Sequence, residues 1–518
     1  MGKKGDAPRI LVVTPEVTYV PHGMGPESRT VSARAGGLGD ICAAQIHALY
    51  EQGIDVHLAI PNYRNIFEAN AGTMAGIDIH WHKRELPENR IHLAQDRSFY
   101  YHPKLFLSMD RDTIQMALAF QREVINRILS EVQPDLIHCY DWMTGLIPPM
   151  ARRLGIPCLF TLYRLDTPKL LLSSIEDRGI DAASFWQYCF YDRMPANYHE
   201  TRDTNPVDLL ASGLFGAHLA NTLSQSFLEM LTDDTNDHAN AGLRTALRIK
   251  LQEGTLCAAA PAPDPSFNPA TDQALTRTYG PDTHYAGKLF NKLHFQELLN
   301  LRMDSTAPLC LWPTRLDGSR PGSRLMAEML PVIIERYQKE HLQVVFIADG
   351  DFKDYIAGLI DRLNAADHVA VCDFDASRYR LAYGGAEFVL MPLQLDPCAM
   401  PCKIGQRYGT LPIAHDAGAI HDCVAHLDTA TDRGTGFLFK HFDRNGFLWA
   451  IDQAMTFYRE PRAFRSSQVQ RIMRESLVSY APDAAALRMI GLYERLLNRP
   501  MVKSEDEAGL QGSSQIAA

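Results

Sequence analysis

Short apolar runs alternate with helix-like segments in two separate series, and this alternation constrains the fold more than any other feature. The first series is Ile10–Thr14, Val56–Pro61, Leu136–Cys139 and Pro157–Leu162, with Ile41–Leu49 and Thr144–Leu154 as the helical stretches among them. The second is Pro308–Trp312, Gln343–Ile347, Val369–Cys372, Phe388–Met391 and Leu411–Ala414, interleaved with the amphipathic Leu325–Tyr337 and Tyr355–Ala365. Strand-helix-strand repetition requires a parallel sheet covered on both faces. Between the series, Thr255–Asp282 is rich in Pro and Ala and reads as a connector, followed by a helical Leu289–Leu299. The expectation is α/β: two Rossmann-like doubly wound domains facing across a cleft. The bounds are 8–265 and 301–478, with a hinge at 266–300, a crossover helix at 479–500 and a disordered tail at 501–518.

Sheets of this kind bind ligands beyond the carboxyl ends of their strands. After the first strand comes Ala33-Arg34-Ala35-Gly36-Gly37-Leu38-Gly39-Asp40, opening a helix. Gly36 and Gly37 permit close approach of a ligand and positive φ. The helix start offers unpaired amides and a positive dipole end, and Arg34 adds a fixed charge. The combination suits an anion such as the diphosphate of a nucleotide-sugar. Asp141-Trp142-Met143-Thr144 and Tyr163-Arg164 follow later strands and are expected at the same crevice.

Several function classes are excluded by composition. The 518 residues include 51 Lys and Arg against 61 Asp and Glu, a net charge of −10, which argues against a general nucleic-acid binder. No apolar run is long enough to span a bilayer, and the first residues lack the apolar core of a secretory signal, so a cytoplasmic protein with no membrane partner is expected. The ten cysteines have no framework spacing and read as small buried hydrophobes in a reducing compartment. Cys398 and Cys402 lack the companions of a zinc site. His80, His82 and His92 around Leu86–Arg90 suggest a solvated hairpin with imidazoles on one face. No metal site is expected.

The motifs, taken in order, resemble the bacterial glycogen synthase and starch synthase family over roughly Ile10 to Leu497. Glu16 and Arg34-Ala35-Gly36-Gly37-Leu38-Gly39-Asp40 stand where the family has a Glu and Lys-x-Gly-Gly-Leu-(Gly/Ala)-Asp. Pro134–Met143 matches Pro-Asp-(Ile/Val)-(Ile/Val)-His-x-x-Asp-Trp-His, and Phe267-Asn268-Pro269-Ala270-Thr271-Asp272 matches Trp-Asn-Pro-Ala-Thr-Asp. Thr314–Pro321 stands at Ser-Arg-Leu-x-x-x-Lys-Gly, and Met391–Cys402 at Met-Pro-Ser-x-Phe-Glu-Pro-Cys-Gly-Leu-x-Gln. Tyr408-Gly409-Thr410-Leu411-Pro412 is intact.

The resemblance implies a GT-B fold and retaining transfer of glucose from ADP-glucose or UDP-glucose to the non-reducing end of an α-1,4-glucan. The nucleotide-sugar is then a substrate, and neither a cofactor nor a metal is needed. It puts Arg34, Gly36, Gly37, Asp40, Arg315, Arg320, Pro397 and Cys398 at phosphate and nucleotide-sugar positions. Asp141, Tyr163 and Asp396 fall at catalytic positions. Fixed cations suit the charge that builds on a departing diphosphate.

The chain also departs from the family. Tyr163-Arg164 replaces His-Asn, Met143 replaces the His of Asp-Trp-His, and the Asn near the hinge falls on Ala260. Asp396 is one methylene shorter than the family's Glu, and Ala399-Met400 replaces Gly-Leu. Gly418–Val424 is a reduced form of Gly-Gly-Leu-x-Asp-Thr-Val, and both phosphate lysines are Arg. These changes keep two alternatives open: an impaired member that binds glucan or nucleotide and regulates glycogen metabolism, and a transferase with another sugar donor or acceptor. The oligomeric state stays open as well.

Overall fold

Strand β1 (Arg9–Val13) is apolar on both faces and pairs in parallel with β2 (Asp55–Pro61) on one side and β4 (Leu136–Tyr140) on the other. The computed structural model describes residues 7–74, 89–102, 105, 109–233 and 238–501. The chain forms two compact units: residues up to Pro261 together with the helix that begins at Pro482, and Ala262–Ala481.

In the first unit, β3 (Ile91–Ala94), β5 (Cys158–Thr161), β6 (Leu219–Thr222) and β7 (Leu256–Ala258) complete a seven-stranded parallel sheet of order β3-β2-β1-β4-β5-β6-β7. Burial across nearly every central strand residue reflects helices on both faces. Helix α1 (Gly37–Glu51) follows β1, and α2 (Ile147–Leu154) follows β4 and ends on Gly155 in the left-handed conformation. The helix Pro482–Leu497 packs against α1 and β4. There Tyr493 and His138 are linked, the hydroxyl lying 2.7 Å from Nδ1, while Gln45 Nε2 donates to the same hydroxyl at 3.2 Å. Burial lowers the His138 pKa to about 3, so this imidazole is a neutral structural group.

Most of the hairpin expected around Leu86–Arg90 lies outside the described residues, and its described end runs as a strand of the main sheet. Ile91–Ala94 pairs in parallel with Leu58–Pro61, because the apolar edge of β2 takes a partner that buries Ile91 and Ala94. His92 Nε2 lies 2.9 Å from His57 Nδ1, and burial lowers the His92 pKa to about 4. His80 and His82 lie outside the described residues, as does nearly all of the 501–518 tail.

The second unit repeats the scheme. Strands β8 (Leu309–Trp312), β9 (Gln343–Ile347), β10 (Val369–Cys372), β11 (Phe388–Met391), β12 (Leu411–His415) and β13 (Phe437–Phe439) form a parallel sheet of order β10-β9-β8-β11-β12-β13. Residues 266–300, read from sequence as a hinge, lie inside this unit. Arg380 donates to Ser266 O at 2.7 Å and Ser266 Oγ at 2.6 Å and pairs with Asp272 at 3.3 Å, and Tyr408 donates to Asp272. Helix α3 (His284–Leu298) carries the buried Lys288, whose ammonium donates to Tyr383 O, Tyr408 O and Thr410 Oγ1. Three acceptors compensate the loss of water around that charge. The Pro-rich composition signals irregular backbone, which side chains of the second unit then fix in place. Among the described residues no helix is long and apolar enough to cross a membrane.

Candidate functional site

Both sheets reverse their strand order beside their first strand, and in each the sequence-predicted residues lie beyond the carboxyl ends of the strands at or next to that point. Open α/β sheets bind ligands at this position.

In the first unit, Glu16 and the Gly36-Gly37 loop follow β1, Asp141 follows β4, and Tyr163-Arg164 follows β5. Glu16 is fully buried, and its Oε2 accepts the amides of Ala35 at 2.7 Å and Gly36 at 2.8 Å. Its Oε1 accepts from the Arg164 guanidinium at 2.9 Å. Arg164 also lies 3.4 Å from Asp141 Oδ2, and its backbone amide donates to Asp141 Oδ1 at 3.1 Å. Arg34 grips Asp40 through Nε and a terminal nitrogen at 3.0–3.2 Å, and Thr18 donates to the same carboxylate at 2.6 Å.

Two expectations for this loop are corrected. Neither Gly36 nor Gly37 has positive φ; Gly36 is extended at φ −172°, ψ −162°. Close approach does explain Gly37, since a Cβ there would lie 2.8 Å from the Tyr163 hydroxyl. The amides of Ala35 and Gly36 are not open to a diphosphate, because Glu16 already accepts both. Arg34 is likewise committed to Asp40. The cluster sets two guanidinium groups against three carboxylates, which offer acceptors to sugar hydroxyls.

Burial raises the Glu16 pKa, with Arg164 and the two loop amides opposing. Burial likewise raises Asp141 to about 6, against the pull of Arg164. The Arg164 guanidinium is disfavoured by its own burial, yet Asp141 and Glu16 hold its pKa above the ordinary value. Asp141 has φ 65° and ψ 176°, a backbone region otherwise used almost only by glycine. Such a residue costs on the order of 1–3 kcal/mol and persists where its surroundings fix it.

In the second unit, Arg315 and Arg320 follow β8, and Asp396, Pro397 and Cys398 follow β11. The Arg315–Arg320 loop wraps around Asp317, whose Oδ1 accepts the amide of Ser319 at 2.9 Å and its hydroxyl at 2.6 Å. Arg320 is 60% exposed and stands 3.6 Å from Asp317. It immediately precedes α4 (Pro321–Arg336). Asp396 turns back on its own chain: Oδ1 accepts the amides of Cys398, at 3.0 Å, and Ala399. A short side chain followed by a turn favours this closure. Burial raises the Asp396 pKa, with those two amides, Lys403 and Arg320 opposing. Arg315, Arg320 and Lys403 share this region with Asp317 and Asp396, and the Gly318 amide donates to Asp351 Oδ1 at 3.2 Å.

Ala399 caps α5 (Met400–Tyr408) with φ 50° and ψ 34°, so the left-handed conformation that glycine favours is kept by an alanine. Gly418, at φ 55°, lies against this turn; a Cβ there would be 2.7 Å from Asp396 O. The Cys398 thiol is buried, and burial pushes its pKa up, which makes it a packing group rather than a nucleophile.

Arg34, Gly36, Gly37, Asp40, Asp141 and Tyr163 therefore gather in the first unit, and Arg315, Arg320, Asp396, Pro397 and Cys398 in the second. Sequence reasoning placed Glu16 in a motif without seeing it as the group that fixes the loop, and read Arg164 only as a replacement. A carboxylate directly after a wholly apolar strand was the available signal for Glu16. Among the described residues no group of three or more His, Cys, Asp or Glu could hold a metal ion.

Comparison with known proteins agrees with this layout. Residues 9–248 match the family described as the starch synthase catalytic domain. The chain is 25% identical to a glycogen synthase of Syntrophotalea carbinolica over 491 residues, covering 89% of this chain and 96% of that one. It is 26% identical to a glycogen synthase of Geobacillus thermodenitrificans, covering 90% and 96%. Among solved structures, the catalytic domain of starch synthase IV from Arabidopsis thaliana, bound to ADP and acarbose, superposes with a TM-score of 0.75 at 20% identity, covering 95% of this chain and all of that one. Residues 9–248 thus match the starch synthase catalytic domain, the chain is similar to glycogen synthases over most of its length, and its two α/β units have the GT-B fold.

Proposed function

We propose that the chain is a retaining glycosyltransferase that moves glucose from ADP-glucose or UDP-glucose to the non-reducing end of an α-1,4-glucan, in the cytoplasm and without a metal cofactor. The observation that carries this reading is the placement of two motif clusters at equivalent positions of two sheets. In the second unit the exposed Arg320, with Arg315, suits a diphosphate. The carboxylate-rich cluster of the first suits sugar hydroxyls.

As the bond from the anomeric carbon to the diphosphate oxygen breaks, negative charge grows on the leaving group. Arg315, Arg320 and the positive end of α5 would stabilise that charge. Asp141 and Asp40 would accept hydrogen bonds from glucosyl hydroxyls, and Tyr163 would take the position of the family's imidazole.

The regulatory binder is the second reading. It is favoured by Tyr163-Arg164 in place of His-Asn and by the internal commitment of the Ala35 and Gly36 amides. One assay separates the two: purified protein with labelled ADP-glucose or UDP-glucose and glycogen, alongside calorimetric titration of the nucleotides. Incorporation of label supports the transferase. Nucleotide binding without incorporation from either donor supports the binder.

A further inference from the structure

The Glu16–Arg164–Asp141 array contains a guanidinium where the resemblance leads one to expect an amide. Its three members come from the ends of three different strands: Glu16 after β1, Asp141 after β4 and Arg164 after β5. The Arg164 fork divides, with one terminal nitrogen on Glu16 at 2.9 Å and Nε 3.4 Å from Asp141. A lysine, with a single ammonium on a flexible stem, cannot reproduce this divided contact. Glu16 in turn holds the Ala35 and Gly36 amides, so a continuous chain of polar contacts runs from the start of α1 to the strained Asp141 turn.

We propose that Arg164 is a positioning residue: it joins the Gly36-Gly37 loop to the Asp141 turn, so that Asp141 presents its carboxylate to a glucosyl hydroxyl in a fixed geometry before any sugar arrives. This rests on the glycosyltransferase reading for the identity of the ligand, while the coupling itself rests on the geometry. Oε1 of Glu16 takes the guanidinium and Oε2 takes the two amides. Its part, like that of Arg164, is to hold other groups in place. Asp141 is the member of the array whose backbone strain marks a position retained at a cost.

The test uses full-length wild type, Arg164→Lys and Arg164→Asn, with two readouts. The first is steady-state transfer from the nucleotide-sugar. Misplacement of a reacting group by about 1 Å costs roughly 100-fold in rate, so Arg164→Asn is expected to lower kcat by about that factor with the donor KM nearly unchanged. Arg164→Lys is expected to recover only part of the loss. The second is amide hydrogen exchange over residues 33–38, expected to speed up about tenfold or more in both variants while β9 in the second unit keeps its protection. Wild-type exchange at Ala35 and Gly36 in both variants overturns the proposal, as does wild-type kcat in both. If Arg164→Asn does not fold, the lysine variant decides both readouts. If the wild type transfers no glucose, the functional reading fails, and the exchange experiment still decides whether Arg164 couples the loop to the turn.

Discussion

The two units share the strand order around their first strand and put their motif residues at the same topological point, yet their arginines differ in burial and in how tightly carboxylates hold them. In the first unit every cation of the cluster is held by a carboxylate: Arg34 by Asp40, and Arg164 by Glu16 and Asp141. In the second, Arg320 is largely exposed and stands 3.6 Å from Asp317, and Asp317 and Asp396 also accept local amides. A shared architecture therefore does not impose a shared ligand. The residues at the strand ends turn one switch point into a neutralised hydrogen-bonding surface and the other into an anion-ready loop.

The largest expected effect tests whether the first cluster is a closed charge network. Arg164→Leu leaves two buried carboxylates without their cation and is expected to cost about 3–5 kcal/mol in chemical denaturation. A loss below about 1 kcal/mol would mean that Glu16 and Asp141 are solvated well enough without it.

Next in size is a pH effect confined to the same unit. The Asp141 pKa is raised in the folded state to about 6. The folded protein therefore binds the proton more tightly than the unfolded chain. The stability this supplies is fully present below about pH 4 and is lost as pH rises to about 6. The stability difference between wild type and Asp141→Asn should shift across that window by up to about 3 kcal/mol. A pH-independent difference would remove Asp141 from the network.

The comparison is sharpened by a matched pair of arginine truncations. Arg315→Ala should weaken binding of the nucleoside diphosphate by about 1.5–3 kcal/mol, roughly 10- to 150-fold, as expected for a charge-assisted contact. Arg34→Ala should change the same affinity by no more than a few fold, because Arg34 is committed to Asp40. Equal effects in calorimetry would erase the assignment of phosphate to the second unit. Smallest is Ala399→Gly, which relieves a left-handed alanine and should raise the melting temperature through a gain of up to about 1 kcal/mol.

Much of this was legible in the sequence because burial on both faces of a parallel sheet leaves continuous apolar runs. β1, β2, β4 and most of the second sheet stand where those runs predicted. Strands β3, β6, β7 and β13 escaped notice because three or four residues leave too short a run to read, even where, as in β6, all are buried. The order of motifs located Asp40, Asp141, Arg315 and Asp396. It could not show how Arg34 and Asp396 would spend their hydrogen bonds, since those partners are set by side-chain length and backbone turn. The replacement of an asparagine by Arg164 looked like erosion of a site. Only the distances from β1, β4 and β5 show one guanidinium spanning two carboxylates. The same holds for 266–300, whose composition marks irregular backbone but carries no sign of Arg380 and Tyr408 holding it to the second unit.

The helix Pro482–Leu497 completes the first unit although it is synthesised after the whole of the second. Until Tyr493 has left the ribosome, His138 and Gln45 lack the hydroxyl they share, and one face of α1 and β4 lacks its cover. The second unit, drawn from one continuous stretch, can reach its final form while the first waits. The first unit is therefore closed by the last element of the chain to be made, through Ala486, Met489, Ile490 and Tyr493.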